Sequence, residues 1–311
     1  MRRIVVFFIA LVVSFHAICA QVEQARTATS PQQMQSPIPL RGTLYRIDYH
    51  GRSSYLFGTV HVGQAAFYPL EPQVTKALQR SERLALEVDI RNMAAFQQAI
   101  IRYGVYPNGQ TIEQHLPSDE LAQLKSALET GGIPFPNVAR MKPWMIANVL
   151  LVQTMAQRGF PTEQGIEQYF LSVAAQQKKT VVELESADYQ LSLFDQLDEH
   201  QQQEYLRETM HDIADGSAID KGIALIDAWS RADSAAMQAA LDEMLNDDAV
   251  SSRFIERTLL AQRNPRMADR IAAWLDSGKT TFIAVGALHL LGDQGIPSLL
   301  RQRGYQVSRL Y

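Results

Sequence analysis

The chain has 311 residues, of which 46% are hydrophobic and 20% are charged, and its formal net charge is −4. This composition supplies ample apolar side chains for a packed core and excludes a chain that is disordered over most of its length. The acidic balance argues against nucleic acid or an anionic membrane surface as the main partner. Cys19 is the only cysteine, which excludes internal disulfides, cysteine-ligated zinc and a cysteine nucleophile within the fold.

Residues 1–20 have the layout of a secretory signal peptide. A basic start is followed by an apolar run of 12 residues, which is short for a bilayer-spanning helix, and then by small residues. We expect cleavage after Cys19 or Ala20 and a periplasmic or secreted protein with no membrane span after cleavage; an uncleaved anchor is the alternative. Residues 21–40 are rich in Gln, Ser, Thr and Pro, and this composition predicts a flexible linker.

The remaining residues, 41–311, alternate between strand-like and helix-like patterns. Strands are predicted at 44–48, 54–57, 83–89, 180–185, 281–285 and 305–307, with a hairpin turn at 49–52. Helices are predicted at 73–81, 92–102, 118–130, 142–157, 166–177, 189–210, 218–230, 234–245 and 251–260, from Pro265 to Gly278, and from Ile296 to Gly304, whereas 133–137 is predicted to be a loop. We therefore expect a single α/β domain: a central mixed β-sheet flanked by helices, with substantial helical insertions at about 92–160 and 188–260.

The same short motif follows two of the predicted strands. Gly58 and His61 follow the second strand, and Gly286 and His289 follow the strand at 281–285, in each case as Gly-x-x-His. Gly292 lies just beyond, where the chain turns. Ligands bind at the carboxyl ends of strands in open α/β sheets, so we expect the two histidines to meet at one edge. The alternative interpretation is two buried histidines that are hydrogen-bonded to backbone.

Acidic residues lie at the ends of two other predicted strands. Glu87 and Asp89 end the strand at 83–89, and Glu185 ends the strand at 180–185. A solvated sheet edge is the alternative explanation for such acids. Glu167 lies in the first turn of a predicted helix, where the helix dipole alone favours a carboxylate.

Several familiar catalytic motifs are missing from the sequence. It contains no Gly-x-Ser-x-Gly, no phosphate-cradling Gly-rich loop with Lys, and no His-Glu-x-x-His. Imidazole and carboxylate side chains remain, and together they suit a first-row divalent metal or zinc. A site of this kind with open positions would polarise a carbonyl and activate a bound water.

The sequence resembles the TraB/PrgY/GumN family, which includes the Tiki metalloproteases. The resemblance spans nearly all of residues 42–311, and the following stretches carry it: LFGTVHVG at 56–63, LALEVD at 84–89, GIEQYFLSVAAQQKKTVVELES at 165–186, and QRNPRMADRI at 262–271 running into VGALHLLGDQGIPSLLRQRGYQV at 285–307. The resemblance implies a TraB/GumN-like domain over residues 41–311. It also implies divalent-metal-dependent peptide hydrolysis, as in the Tiki branch, with a peptide or protein as the substrate.

The resemblance also implies roles for individual residues. His61, His289, Glu87 and Glu185 would bind the divalent metal, and either glutamate could instead act as the general base. An Arg-Asn pair recurs in the family before the last long helix. Arg263 is therefore a candidate catalytic and substrate-binding residue and Asn264 a substrate-binding one; a plain salt bridge by Arg263 is an equally open interpretation.

Two function hypotheses of different classes follow. The first is an exported metal-dependent hydrolase, most simply a peptidase. The second is a non-catalytic binding protein that sequesters a peptide or a haem or metal ligand. The residues do not distinguish Mn, Co and Zn as the ion, and they predict no oligomeric state.

Overall fold

The computed structural model describes residues 38–246 and 248–311. The predicted signal peptide and most of the predicted linker lie outside these residues. The strands are β1 Leu44–Tyr49, β2 Arg52–Thr59, β3 Arg83–Leu86, β4 Thr180–Glu183, β5 Thr281–Gly286 and β6 Gln306–Arg309.

Helices fill most of the chain between the strands. The α-helices are α1 Pro72–Arg80, α2 Met93–Ala99, α3 Ser118–Thr130, α4 Phe135–Val138, α5 Pro143–Gln157, α6 Ile166–Gln176, α7 Ala187–Phe194, α8 Glu199–Ala214, α9 Ser217–Ser230, α10 Ser234–Met244, α11 Val250–Arg253, α12 Arg263–Asp276 and α13 Ile296–Gln302. Two π-helical segments extend α2 and α11, at Ile100–Gly104 and Phe254–Ala261, and 3₁₀ turns occur at Ala65–Phe67, Ile112–Gln114, Thr162–Gln164 and Ala287–Leu290. Across the described part of the chain, no helix is both long enough and apolar enough to span a bilayer.

The first two strands form the predicted hairpin. β1 and β2 pair antiparallel, and the two turn residues, His50 and Gly51, both have positive φ, 47° and 73°. A tight two-residue turn of this hand matches the right-handed twist of the strands and requires positive φ at both positions.

All six strands belong to one sheet, in the order β4-β3-β5-β2-β1-β6. The neighbours β4, β3, β5 and β2 run parallel, whereas β1 is antiparallel to both β2 and β6. β5 lies in the middle, and its first five residues are buried, as expected for a strand covered on both faces. The predicted α/β class and mixed central sheet are confirmed.

Each face of the sheet carries a hydrophobic core. The larger core joins Phe57 and Phe282 to Phe170 of α6 and Trp229 of α9, through ring contacts with centroids 5.0 to 6.4 Å apart. The smaller core packs α12 and α13 on the other face, with Ile271 and Leu300 fully buried. The sheet is therefore packed between α12 and α13 on one face and the large helical insertions on the other.

Some predicted boundaries are wrong. The single helix at 189–210 is two helices, because Asp198 and Gln201 form a reciprocal capping box that starts α8 anew. The loop at 133–137 contains the short helix α4, since Pro136 occupies a first-turn position that needs no N–H donor. β3 and β4 end at Leu86 and Glu183, earlier than predicted.

Candidate functional site

Three of the sequence-predicted site residues surround one glycine at the edge of the sheet. His61 follows β2, Glu87 follows β3, and Gly286 ends β5, which lies between these two strands. A Cβ atom added at Gly286 would lie 3.3 Å from Glu87 Oε1, 3.4 Å from His61 Nε2 and 3.7 Å from His289 Cδ2. The absence of a side chain at this position therefore lets the carboxylate and both imidazoles approach one point.

His289 lies on the 3₁₀ turn that follows β5, and only 5% of it is exposed. Its Nδ1 is 2.6 Å from Asn264 Oδ1, and its Nε2 is 3.7 Å from Glu87 Oε1. Burial lowers the pKa of His289 to about 3, and the charges of Arg263 and His61 act in the same direction against that of Glu87. The imidazole is therefore neutral, and because Nδ1–H donates to Asn264, Nε2 is left with a free lone pair.

His61 has a comparable arrangement with a different partner. Its Nδ1 lies 2.9 Å from Glu167 Oε1, and the Thr59 hydroxyl donates a hydrogen bond to the same oxygen. Burial lowers the pKa of His61, but the carboxylates of Glu167 and Glu87 outweigh it and hold the pKa above its usual value. Glu167 thus orients the ring and leaves Nε2 facing Gly286.

Arg263 joins the two acidic residues predicted from the strand ends. Its Nη2 is 2.5 Å from Glu87 Oε2 and 2.7 Å from Glu185 Oε2, and its Nε also donates to Glu185 at 3.0 Å. Gln190 Nε2 donates to the same two carboxylates at 3.2 and 2.9 Å. Glu185 is therefore held by Arg263 and Gln190, whereas Glu87 extends its other oxygen towards the histidines.

The charge of Glu87 is fixed by these neighbours. Burial alone would raise the pKa of Glu87, but Arg263 and both histidines hold it far below its ordinary value, with help from the Gly286 N–H, which donates to Oε1 at 2.6 Å. Glu87 is consequently ionised throughout the neutral range. Burial would also lower the pKa of Arg263, and the two glutamates raise it instead.

The other predicted residues have structural contacts of their own. Asn264 orients His289 and donates its amide to Gln294 O at 2.8 Å. Gly58 lies against the 3₁₀ turn, with Leu290 3.0 Å from where its Cβ would be, and Gly292 turns the chain with φ 68°. Asp89 pairs with Arg91 on the surface.

Sequence reasoning missed two residues of this cluster. From the sequence, the helix dipole alone explains Glu167, and nothing indicates a role for Gln190. Glu167 has no local signal beyond its position in the first turn of α6, because tertiary packing, in which Ile166 N bonds to Val60 O, brings it beside His61. Gln190 has no comparable signal, since it lies in a polar, Gln-rich stretch.

A second group of histidine and acidic side chains, away from Gly286, has its possible metal-binding atoms closer together. Among residues 38–246 and 248–311, three histidine or acidic ligand atoms that all lie within 4.8 Å of one another occur at His211, Asp212 and Asp215, at the C-terminal end of α8. His61, Glu87 and His289 are arranged more loosely around Gly286. His211 is exposed.

Comparison with known proteins places the chain in a family. The TraB/PrgY/gumN family model matches residues 43–309, which include every strand and all the cluster residues. The chain belongs to the TraB/PrgY/gumN family. This membership confirms the resemblance that the strand-end motifs indicated.

Two kinds of relative are similar to this TraB/PrgY/gumN member. The uncharacterised protein YbaP of Shigella flexneri is 28% identical over 264 residues, covering 80% of this chain and 88% of that protein. The metalloprotease TIKI1 of Danio rerio is 26% identical over 307 residues, covering 82% of this chain and 60% of that protein, and TIKI1 of Homo sapiens is 24% identical over 303 residues, covering 82% and 59%. The chain thus spans about three fifths of the length of these metalloproteases. No solved structure matches it significantly.

Proposed function

We propose that this protein is a metal-dependent peptidase whose site lies around Gly286. The observation that carries the proposal is the matched pair of histidines. Each has Nδ1 against a side-chain oxygen, Glu167 or Asn264, and each directs the other edge of its ring towards Gly286 and Glu87. The metalloproteases among its relatives support a peptide substrate.

The residues present fit a divalent metal ion in their chemistry. Metal-binding histidines usually donate Nδ1–H to a carboxylate or carbonyl, which fixes the tautomer and ring orientation and leaves Nε2 to bind. His61 Nε2, His289 Nε2 and Glu87 Oε1 would hold the ion, and neutral His289 and ionised Glu87 are already in the protonation states that binding requires. A bound divalent ion would polarise a peptide carbonyl and lower the pKa of a bound water.

Arg263 and Glu185 would act through Glu87. Arg263 is 2% exposed, and its contacts hold Glu87 ionised and aimed at the histidines. Glu185 fixes the guanidinium in turn, and Gln190 donates a hydrogen bond to Glu185. We therefore assign Glu87 as the metal-binding carboxylate and Glu185 as a positioning residue for Arg263, while Asn264 positions His289 rather than the substrate.

The test is peptide cleavage by the purified protein after chelation and reloading with Mn, Co or Zn. His61→Ala and His289→Ala should each abolish cleavage and lower bound metal while the circular dichroism spectrum stays unchanged. His200→Ala is the matched control, because His200 is exposed on α8. Full activity in either site variant would refute the proposal.

A binding protein without turnover is the second candidate. The observation that favours it is the ion-pair network, in which one guanidinium pairs with both glutamates. A Soret band in the purified protein, with no cleavage under any metal, would select this alternative.

For localisation we propose export to the periplasm or the medium, on the basis of residues 1–20. Sequencing the mature amino terminus would test this, and a protein that begins at Met1 in the cytoplasmic fraction would contradict it.

A further inference from the structure

We infer that the cavity beside the two histidines is a specificity pocket that takes an aliphatic side chain of the peptide, of valine to leucine size. The inference rests on the proposed function and names its substrate class. The cavity has a volume of about 60 Å³. It is lined by Thr59, Val60, His61, Val62, Leu225, Ile226, Ile255, Leu259, Leu260, Arg263, Gly286, Ala287, Leu288 and His289.

The pocket has a polar end and an apolar wall. His61, Arg263 and His289 form the polar end, which is continuous with the candidate metal ligands. α9 and the π-helical segment 254–261 supply the wall through five leucine and isoleucine side chains. A substrate group in this pocket would therefore lie next to the bond that the proposed site would cleave.

The apolar wall of the pocket disfavours charged substrate side chains. Among the described lining residues, Arg263 carries the fixed charge, and its guanidinium already bonds Glu87 and Glu185. A lysine or aspartate side chain would lose its hydration against the leucine and isoleucine wall, and the wall itself offers no hydrogen-bond partner, which is strongly unfavourable. Burial of an aliphatic side chain carries no such desolvation penalty, and it stabilises the complex in proportion to the apolar area that is buried.

The volume limits the size of the guest. A single water needs roughly 10–15 Å³ of such space, and a cavity of about 150 Å³ accommodates benzene. A cavity of about 60 Å³ lies between these limits and suits a branched group of three or four carbons. Tryptophan and tyrosine are too large.

The wall and the charged end belong to one continuous segment. The π-helical segment ends at Ala261, and Arg263 begins α12 two residues later. π-Helical turns are rare and frequently occur at functional sites. A displacement of Leu260 by a bound side chain would reach Arg263 through two connecting residues, Ala261 and Gln262.

The first test measures binding without turnover. N-acetyl-leucine amide, N-acetyl-lysine amide and N-acetyl-tryptophan amide are titrated into the purified protein by calorimetry. The leucine amide should bind at least about tenfold more tightly than the other two. Equal affinities, or no detectable binding of the leucine amide at millimolar concentration, would overturn the inference.

Substitutions of a partly exposed wall residue sharpen the test. Leu260→Trp should fill the pocket and abolish leucine selectivity, whereas Leu260→Ala should enlarge it and shift the preference towards phenylalanine amide. Ile101→Trp is the matched control, since Ile101 is 71% exposed in the other π-helical segment. Unchanged selectivity in both Leu260 variants would refute the pocket.

The outcome is separable from that of the proposed function. Selective binding without peptide cleavage would reject the peptidase and keep the pocket. Cleavage with no preference for aliphatic residues would keep the peptidase and reject the pocket.

Discussion

One guanidinium controls the electrostatics of the site. Arg263 is almost fully buried and contacts two buried carboxylates at 2.5 and 2.7 Å. Without this cation, Glu87 and Glu185 would be two like charges in a low-dielectric environment, both linked by Gln190. The arrangement is stable only as a unit, because a buried charge that loses its partner keeps its desolvation penalty.

Arg263→Met should therefore destabilise the protein by about 3–5 kcal/mol, as is typical when one partner of a buried ion pair is removed. Urea denaturation measures the change. Arg91→Met is the control: Arg91 pairs with Asp89 at the surface with half of its side chain exposed, and its loss should cost less than about 1 kcal/mol. Similar losses in the two variants would contradict this account of the site.

Another buried carboxyl, that of Glu71, lies outside the histidine cluster. Glu71, at the start of α1, is 2% exposed, and neither of its oxygens makes a hydrogen bond of ordinary geometry. Burial raises the pKa of Glu71 to about 7, and the charge of Arg41 offsets this only in part.

The sign of the resulting pH dependence follows from proton uptake. An unfolded glutamate releases its proton near pH 4.5, whereas folded Glu71 keeps it to about pH 7. The folded state binds more protons in this window, so the free energy of unfolding should fall as the pH rises through it. Glu71→Gln should be more stable than the unsubstituted protein at pH 8, on the order of 2 kcal/mol, and should lose this advantage at pH 4.5. Denaturation curves at both pH values measure the difference in stability. An equal advantage of the variant at both values would contradict the raised pKa of Glu71.

At the scale of elements, the site depends on how the His61 loop packs against the start of α6. Ile166 N bonds to Val60 O, and a Cβ atom at Gly165 would lie 2.5 Å from His61 O. This glycine has φ −63°, so it is needed for space and not for backbone conformation.

Gly165→Ala should therefore displace His61, destabilise the fold by about 1–3 kcal/mol and reduce metal affinity. The matched control is Gly131→Ala, where φ is −73° and the nearest atom would be 3.4 Å away. Thermal denaturation and metal titration provide the two readouts. If both alanine variants behave alike, the packing of this loop does not position His61.

The elements also show what the sequence can and cannot predict. The strands were predictable, because their apolar runs are local features of the sequence; β5 ends at Gly286 as expected, whereas β2 continues through Gly58 to Thr59. The histidines and Glu87 follow from the strand ends by geometry. The partners of the histidines do not, since Glu167 lies 106 residues after His61 and Asn264 lies 25 residues before His289, and only tertiary packing brings them together.

At the scale of the whole molecule, the two ends of the described chain meet. Tyr311 donates its hydroxyl to Arg41 O at 3.2 Å, and Leu310 N bonds to Leu44 O at 2.8 Å. Domains with adjacent ends usually tolerate circular permutation.

A permutant that joins residue 311 to residue 41 by a short Gly/Ser linker and opens between Asn108 and Gly109 should fold with a similar melting temperature. That opening lies in an exposed turn, where backbone breaks are tolerated. A permutant opened between Ala284 and Val285 should fail to fold, because β5 pairs with strands on both sides. Equal stability of the two permutants would contradict the central role of β5.

The middle position of β5 has a consequence for biosynthesis. Proteins are made from the amino terminus, and the strand that joins β2 to β3 begins only at Thr281. A nascent chain of 280 residues lacks the central strand, Gly286 and His289, so it has neither a continuous sheet nor a second imidazole. A nascent chain therefore has no complete site until residues 281–289 have been made, and the proposed peptidase cannot act during most of its own synthesis.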